Sequence, residues 1–375
     1  MKHFLASLGI CAAAVVAGPA AFALPAIEGI VQPLEGPSVQ IDLHAPGVAW
    51  RREVKLDSES SFFRLHFTGI AVTGDEAGFT VMVRSASNRV LATYTRQDFA
   101  SRDEFWTAYL FGHFALVEVV SSGASTGHVA FRIAEAAIET QGARELSIQD
   151  PNNPRDRPLY EFRDNAPLVA AARPVAKLRF TRNRILYSCT GFLLAEDLLL
   201  TNQHCIEGDA DCLTAVAQFG FQQDAEFNVE PGEEFRCDRV VDSDVGLDFA
   251  LIRLQGHPGI KWGTLKWTIQ QTGARGALYL IQHPNGRPKR VASAGCIAKT
   301  LSAVGSLPHH ETDMGHTCDT ETGSSGSPVF NEGFGVVALH HLGFDRADPR
   351  WVKENRAVKA SLLAPRLAPF IDPNR

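Results

Sequence analysis

The chain has 375 residues, more than one typical domain, so two domains are the starting expectation. Hydrophobic residues make up 45% and charged residues 21%, which is ample for a buried core. A net charge of −6 with no Lys/Arg block excludes nucleic acid as an expected partner.

In chain order, the first element reads as a secretory signal over residues 1–23. Lys2 and His3 supply a short polar start, "FLASLGICAAAVVAG" the apolar core, and Ala21-Phe22-Ala23 the cleavage site. The apolar run is short and rich in alanine, and no later run is long and apolar enough for a membrane anchor. Cys11 lies inside the signal, and Ile10 before it argues against lipid attachment. A secreted protein, extracellular or periplasmic, is expected. Six cysteines remain after the signal: Cys189, Cys205, Cys212, Cys237, Cys296 and Cys318. An even number in an exported chain favours disulfides over free thiols, and their confinement to the second half suggests a domain boundary.

Residues 36–138 alternate as short strands, among them "FFRLHFTGIAV", "GFTVMVRSAS" and "FALVEVVSS". Gly, Ser, Asn and Asp clusters separate them at the spacing of a β-sandwich, read as an accessory or pro domain of unknown partner. It shows no paired acids or histidine cluster ordered enough to suggest chemistry. "EFWTAYLFG" is either an aromatic ligand-binding face or core. Residues 139–175, with "DPNNPRDRP" and "DNAPLVAAARP", read as a linker, and the arginines make it a plausible processing site.

Strand signals resume at Val175 with "AKLRF", "CTGFLLA", "DLLLTNQ", "DFALIRL", "GALYLIQH" and "GVVALHH". A helix is expected only at the end, in "NRAVKASLLAPRLAPF". The second half therefore reads as β-barrels closed by a C-terminal helix.

Three stretches carry candidate chemistry. In "TETGSSGSPVF", Ser325 sits between Gly323 and Gly326. A nucleophilic serine on a tight turn needs such small neighbours, and the N–H groups of Gly323 and Ser325 could converge on an oxyanion. By itself the stretch is also an ordinary Gly/Ser loop. In "GLDFALIRL", Asp248 heads an apolar strand, where it is either a turn acid or the group that orients a histidine. Asp242 and Asp244 read as solvated turn residues. In "CTGFLLAEDLLLTNQHC", His204 precedes Cys205, and Cys189 lies sixteen residues earlier. His204 could be a buried spectator, a metal ligand or half of a catalytic pair. Metal spacing of the C-x-x-C or H-E-x-x-H kind is missing, and "HHETDMGH" reads as a polar loop. Neither metal nor cofactor is expected.

The order His204, Asp248, Ser325, with "TNQHC", "DFALIRL" and "GSSGSPVF", resembles the trypsin-like serine endopeptidases of the chymotrypsin fold over roughly residues 177–365. Asn202 and Gln203 depart from the small residues usual before the histidine. The resemblance implies an all-β, chymotrypsin-like double barrel with a C-terminal helix over 176–370. It also implies peptide substrates, an acyl-enzyme, His204 as base, Asp248 as its orienter and Ser325 as nucleophile. Gly323 and Ser325 would form the oxyanion hole, and Cys189 would pair with Cys205. For the other four cysteines, Cys212–Cys237 and Cys296–Cys318 are sequential choices among three pairings.

Animal members carry an aspartate just before the serine, which pairs with a newly cut N-terminus. Ser324 stands there, so maturation is expected to work otherwise, through release of residues 24 to about 175. Thr320 and His340 resemble the pair with which bacterial glutamyl endopeptidases receive an acidic side chain. Asp319 falls where trypsin-type enzymes receive Lys or Arg, and Gly343 is expected at the wall. A charged residue is thus expected at the cleavage site, acidic rather than basic. Two other functions compete: a non-enzymatic binding protein acting through the 36–138 sandwich, and a quality-control protease with a trailing peptide-binding module. The complete triad speaks against the first, and the short stretch after Ser325 against the second.

Overall fold

The computed structural model describes residues 25–56, 62–74, 78–100, 103–123, 127–139, 146–147, 154–268, 273–306, 310–344 and 354–371. The signal and its cleavage site lie outside these residues, as do 140–145 and 148–153 of the expected linker.

Period-two alternation builds two sheets in the N-terminal part. Phe79–Arg84 and Phe114–Ser122 bury every second residue. Their sheet shares one core with a second sheet through Val81, Val83, Val117 and Val119 on one side and Leu65, Phe67, Val129 and Phe131 on the other. "EFWTAYLFG" is core: Phe105, Trp106, Tyr109 and Leu110 are buried. Tyr109 packs with Leu186 and Val216 of the second half.

In the second half, Val175–Arg182, Val216–Phe219, Glu233–Asp244, Phe249–Leu254, Leu198–Thr201 and Ile185–Leu193 pair in that order. Pairing of the first with the last closes a six-stranded barrel around Leu178, Phe180, Leu193, Ala217, Phe219 and Ile252. An eight-stranded sheet from Asp156–Pro158 to Ala298–Ala303 forms the second, open half-barrel. Leu200, Leu251, Ile281, Phe330, Leu339 and Val358 pack between the two. The fold is thus a chymotrypsin-like double barrel, with only its first barrel closed.

The cysteines staple both halves of this fold. Cys189–Cys205 and Cys212–Cys237 lie in the core of the closed barrel, whereas Cys296–Cys318 lies in that of the half-barrel. The sequential pairing expected for Cys212, Cys237, Cys296 and Cys318 is thus the one present. Both pairs are short-range in sequence, with separations of 25 and 22 residues; the first ties the helix Asp209–Thr214 to the strand Glu233–Asp244.

Four expectations change. Strand structure begins at Ala26, ahead of residue 36, because Ala26–Pro33 lies between His128–Glu139 and Ile185–Leu193 and joins both halves in one sheet. The linker reading fails from residue 154 onward: Leu159, Leu168, Ala171 and Ala172 are buried in the central core, on a 3₁₀ turn and the helix Ala166–Ala172. Asn165 caps that helix by accepting from the Leu168 N–H. The final helix covers only Ala360–Ile371, since Asn355–Lys359 is a strand held between Asp313–His316 and Val336–Leu342. Asp313–His316, read as part of a polar loop, is a fully buried strand.

Candidate active site

His204 and Asp248 come from the closed barrel, and Ser325 from the half-barrel. His204 lies in the turn after Leu198–Thr201, and Asp248 ends the turn leading into Phe249–Leu254. These two strands pair directly, Thr201 opposite Ala250, which sets the turns side by side. His204 Nδ1 is 2.8 Å from Asp248 Oδ2, and the His204 backbone N–H donates to Oδ1 at 3.1 Å. Asp248 adopts φ +43°, a left-handed conformation unusual outside glycine. Asn202, a departure noted in the sequence, supports it: its buried Nδ2 donates to the Asp248 carbonyl at 2.7 Å. Burial would raise the Asp248 carboxyl, but His204 and His341 hold it well below the usual carboxylate range. It is thus held as a carboxylate against the His204 ring.

Ser325 lies in the turn between Thr320–Glu321 and Pro328–Phe330, and it is buried. Its backbone carbonyl accepts from the Thr190 N–H at 2.8 Å, and the Gly326 N–H donates to the His340 carbonyl at 2.9 Å. Ser325 Oγ and His204 Nε2 have no hydrogen-bond partner among the described residues. Ser327, the neighbouring hydroxyl, is occupied, donating to the Ser324 carbonyl at 2.6 Å. Ser324 Oγ accepts from the Glu321 N–H at 3.1 Å, a bond within the turn that adds to its backbone bonds with Thr190 and His340.

Gly323 and Gly326 both have positive φ, +85° and +87°. A Cβ on Gly326 would collide with the Thr190 carbonyl. Gly326→Ala is therefore expected to destabilise the protein by at least about 2 kcal/mol through strain and collision. Thermal unfolding of the purified variant checks this; an unchanged midpoint would contradict the packing.

The pocket candidates separate. Asp319 is buried and already engaged: Oδ2 accepts from the Arg155 N–H at 2.8 Å, and Oδ1 lies 3.3 Å from Arg155 Nη2. Its charge is not open for a substrate cation. Thr320 Oγ1 accepts from Asn355 Nδ2 at 3.0 Å, and the same amide donates to the Cys318 carbonyl at 2.7 Å. His340 Nδ1 lies 3.1 Å from His316 Nε2. Burial, with His316 and His341 adding to it, keeps His340 well below the ordinary imidazole value. Gly343 is half-buried just beyond Val336–Leu342. His316, His341, Asn355 and Asp313 were missed. They had no motif spacing, and only strand pairing brings Asp313–His316 and Asn355–Lys359 beside Val336–Leu342.

The three disulfides, Cys189–Cys205, Cys212–Cys237 and Cys296–Cys318, fit an oxidising compartment, extracellular or periplasmic. Among the described residues no helix is long and apolar enough to cross a membrane. Cys189, His204 and Cys205 cluster closely enough to hold a metal, but the two sulfurs are bonded to each other and supply no thiolate.

Residues 189–339 match the family model of the trypsin-like peptidase domain. An uncharacterized protein of Sinorhizobium fredii, y4fB, is 30% identical over 194 residues, covering 47% of this chain and 29% of its own. Secreted RxLR effector protein 73 of Plasmopara viticola is 30% identical over 216 residues, 54% of this chain and 52% of its own. The chain thus spans about half or less of the curated relatives it matches. Among solved structures, a serine endoprotease from Yersinia pestis is 17% identical with a TM-score of 0.42, over 56% of this chain and 66% of that one. The active form of the Mycobacterium tuberculosis protease Rv3671c is 18% identical with a TM-score of 0.42, over 58% and 90%.

Proposed function

We propose that the protein is a secreted serine endopeptidase that hydrolyses peptide bonds through Ser325, His204 and Asp248. The observation that carries this reading is the His204–Asp248 pair, bonded at 2.8 Å and 3.1 Å, in a segment that matches the trypsin-like peptidase domain. Asp248 accepts the Nδ1 proton, so Nε2 is the basic nitrogen. It would take the Ser325 Oγ proton as that oxygen attacks the substrate carbonyl, then return it to the leaving amine. The N–H groups of Gly323 and Ser325 would hold the tetrahedral oxyanion, and water would release the acyl group by the same path. The purified protein should cleave unfolded protein substrates and be inactivated by a serine-directed fluorophosphonate. Cleavage insensitive to such a probe would contradict the reading.

We further propose that cleavage follows an acidic residue. Arg155 neutralises Asp319, which removes the basis for a Lys or Arg preference. Thr320 bonded to Asn355, and His340 bonded to His316, are the polar side chains we propose for this role instead. His340 is neutral in the free protein, so it would receive a substrate carboxylate as a neutral donor or take up a proton on binding. In a peptide library, cleavage after Glu or Asp should dominate. His340→Ala should lower kcat/KM for those peptides by about 10-fold or more. Dominant cleavage after Lys or Arg that is lost in Asp319→Ala would install the basic preference.

A further inference from the structure

Asp248 has a second imidazole partner. His341, on the strand Val336–Leu342, is fully buried, and its Nδ1 lies 3.0 Å from Asp248 Oδ2. That is the oxygen that also meets His204 Nδ1 at 2.8 Å. The other ring nitrogen of His341, Nε2, lies 2.6 Å from Oδ2 of Asp313, which is likewise fully buried. A neutral imidazole has one N–H, so it would leave one of these carboxylates facing a lone pair. With both acids ionised, the two contacts are satisfied only by the imidazolium.

The surroundings agree. Burial works against charge on His341, but Asp313 and Asp248 outweigh it and raise the imidazole to about 10. Facing the same pocket are Ser306 Oγ, 3.5 Å from His341 Nδ1, and the rings of His316 and His340. His316 is pushed down to about 3 by burial, with Arg356 and His341 adding to it, and His340 is pushed down as well. Among these clustered imidazoles, the cation is His341. The resulting chain runs Asp313, His341, Asp248, His204, with a hydrogen bond at every step.

Resting on the proposed triad, we infer that His341 and Asp313 are positioning residues for it: His341 holds the Asp248 carboxylate in place for His204 and lends it a buried positive charge. A cation behind Asp248 weakens the pull of that carboxylate on a proton at His204. Loss of that cation should therefore register in the acidic limb of activity.

Asp313→Asn separates charge from shape. The amide can still bond Nε2, but it removes the carboxylate that holds the second proton on His341. The acidic limb of kcat/KM should then move up by about half a pH unit or more, with kcat reduced roughly 3–10-fold and KM little changed. His341→Gln should move the limb in the same direction. A folded Asp313→Asn protein with an unmoved limb and unchanged kcat overturns the inference, whatever its melting temperature. A second measurement needs neither activity nor that variant. In ¹⁵N-histidine spectra of the full-length Ser325→Ala protein at pH 8, one histidine should carry protons on both ring nitrogens, and that signal should vanish in the added His341→Gln background. Spectra in which every histidine is neutral at pH 8 overturn the inference. Failure of the triad itself would show separately, as peptide hydrolysis surviving Ser325→Ala.

Discussion

Ser325→Ala is expected to lower peptide hydrolysis by about 10⁴-fold or more and to abolish labelling by a fluorophosphonate. The expectation rests on the local bonding. The hydroxyls flanking Ser325 are both committed within the turn, Ser324 as acceptor for the Glu321 N–H and Ser327 as donor to the Ser324 carbonyl. Among the described residues Ser325 Oγ is without a hydrogen-bond partner, as is His204 Nε2. The turn is held through backbone groups of Thr190, Ser325, Gly326 and His340, so removing one hydroxyl should leave it in place. The melting temperature should therefore change little while activity collapses. Asp248→Asn should also be severe, by about 10⁴-fold, because an amide can present a donor to His204 Nδ1 and trap the wrong tautomer. Labelling that survives Ser325→Ala but disappears in Ser327→Ala would move the nucleophile and break the assignment.

The second large effect is on stability. Glu28→Gln is expected to cost about 3–5 kcal/mol, because it removes one side of a buried charge cluster and leaves the other. Glu28, on Ala26–Pro33, is buried against Lys177 and Arg179 of Val175–Arg182, with Arg179 Nε at 2.9 Å. Burial would raise the Glu28 carboxyl, but the two cations prevail and lower it. Lys177 is pushed down to about 7 by burial and by Arg179. Glu28 nevertheless stays ionised, because the Arg179 guanidinium stays charged across the working pH range. A carboxyl lowered on folding stabilises the protein at pH above its unfolded value, and this contribution is lost as pH falls through the folded value. Wild type should thus lose stability on acidification more steeply than Glu28→Gln. Melting curves of both proteins from pH 7 to pH 3 check this, and parallel curves of equal midpoint would contradict it.

The same cluster bears on maturation. Lys177 Nζ donates to the Gly286 carbonyl, and a Cβ on Gly323 would come within 3.2 Å of Ala26. The first strand after the expected signal therefore abuts the serine turn. Release of residues 24–175 would strip Glu28 from two buried cations and remove Leu159, Leu168 and Ala172 from the core. That route to activation, expected from the missing aspartate at position 324, is at odds with the packing.

Much of this protein is written locally. Period-two alternation marks strands such as Phe79–Arg84, because side-chain direction follows from the backbone alone. The stretches around His204, Asp248 and Ser325 are equally readable, since each puts a polar side chain beside small or apolar neighbours. The boundaries were less legible. Residues 154–175 have the composition of a linker, but Leu168 and Ala172 find apolar partners only once both barrels exist. Asp319 reads as a pocket acid until Arg155, 164 residues away, is brought against it. Asp313 and His316 read as polar loop residues, although both are buried. Their meaning depends on a strand register that places them against His340 and His341, and register is set by long-range pairing. The sequence by itself determined most of the strands and the order of the residues proposed for the triad. Only the tertiary structure decided which buried charges meet, because desolvation makes a carboxylate or imidazole take whatever partner the packing brings within reach.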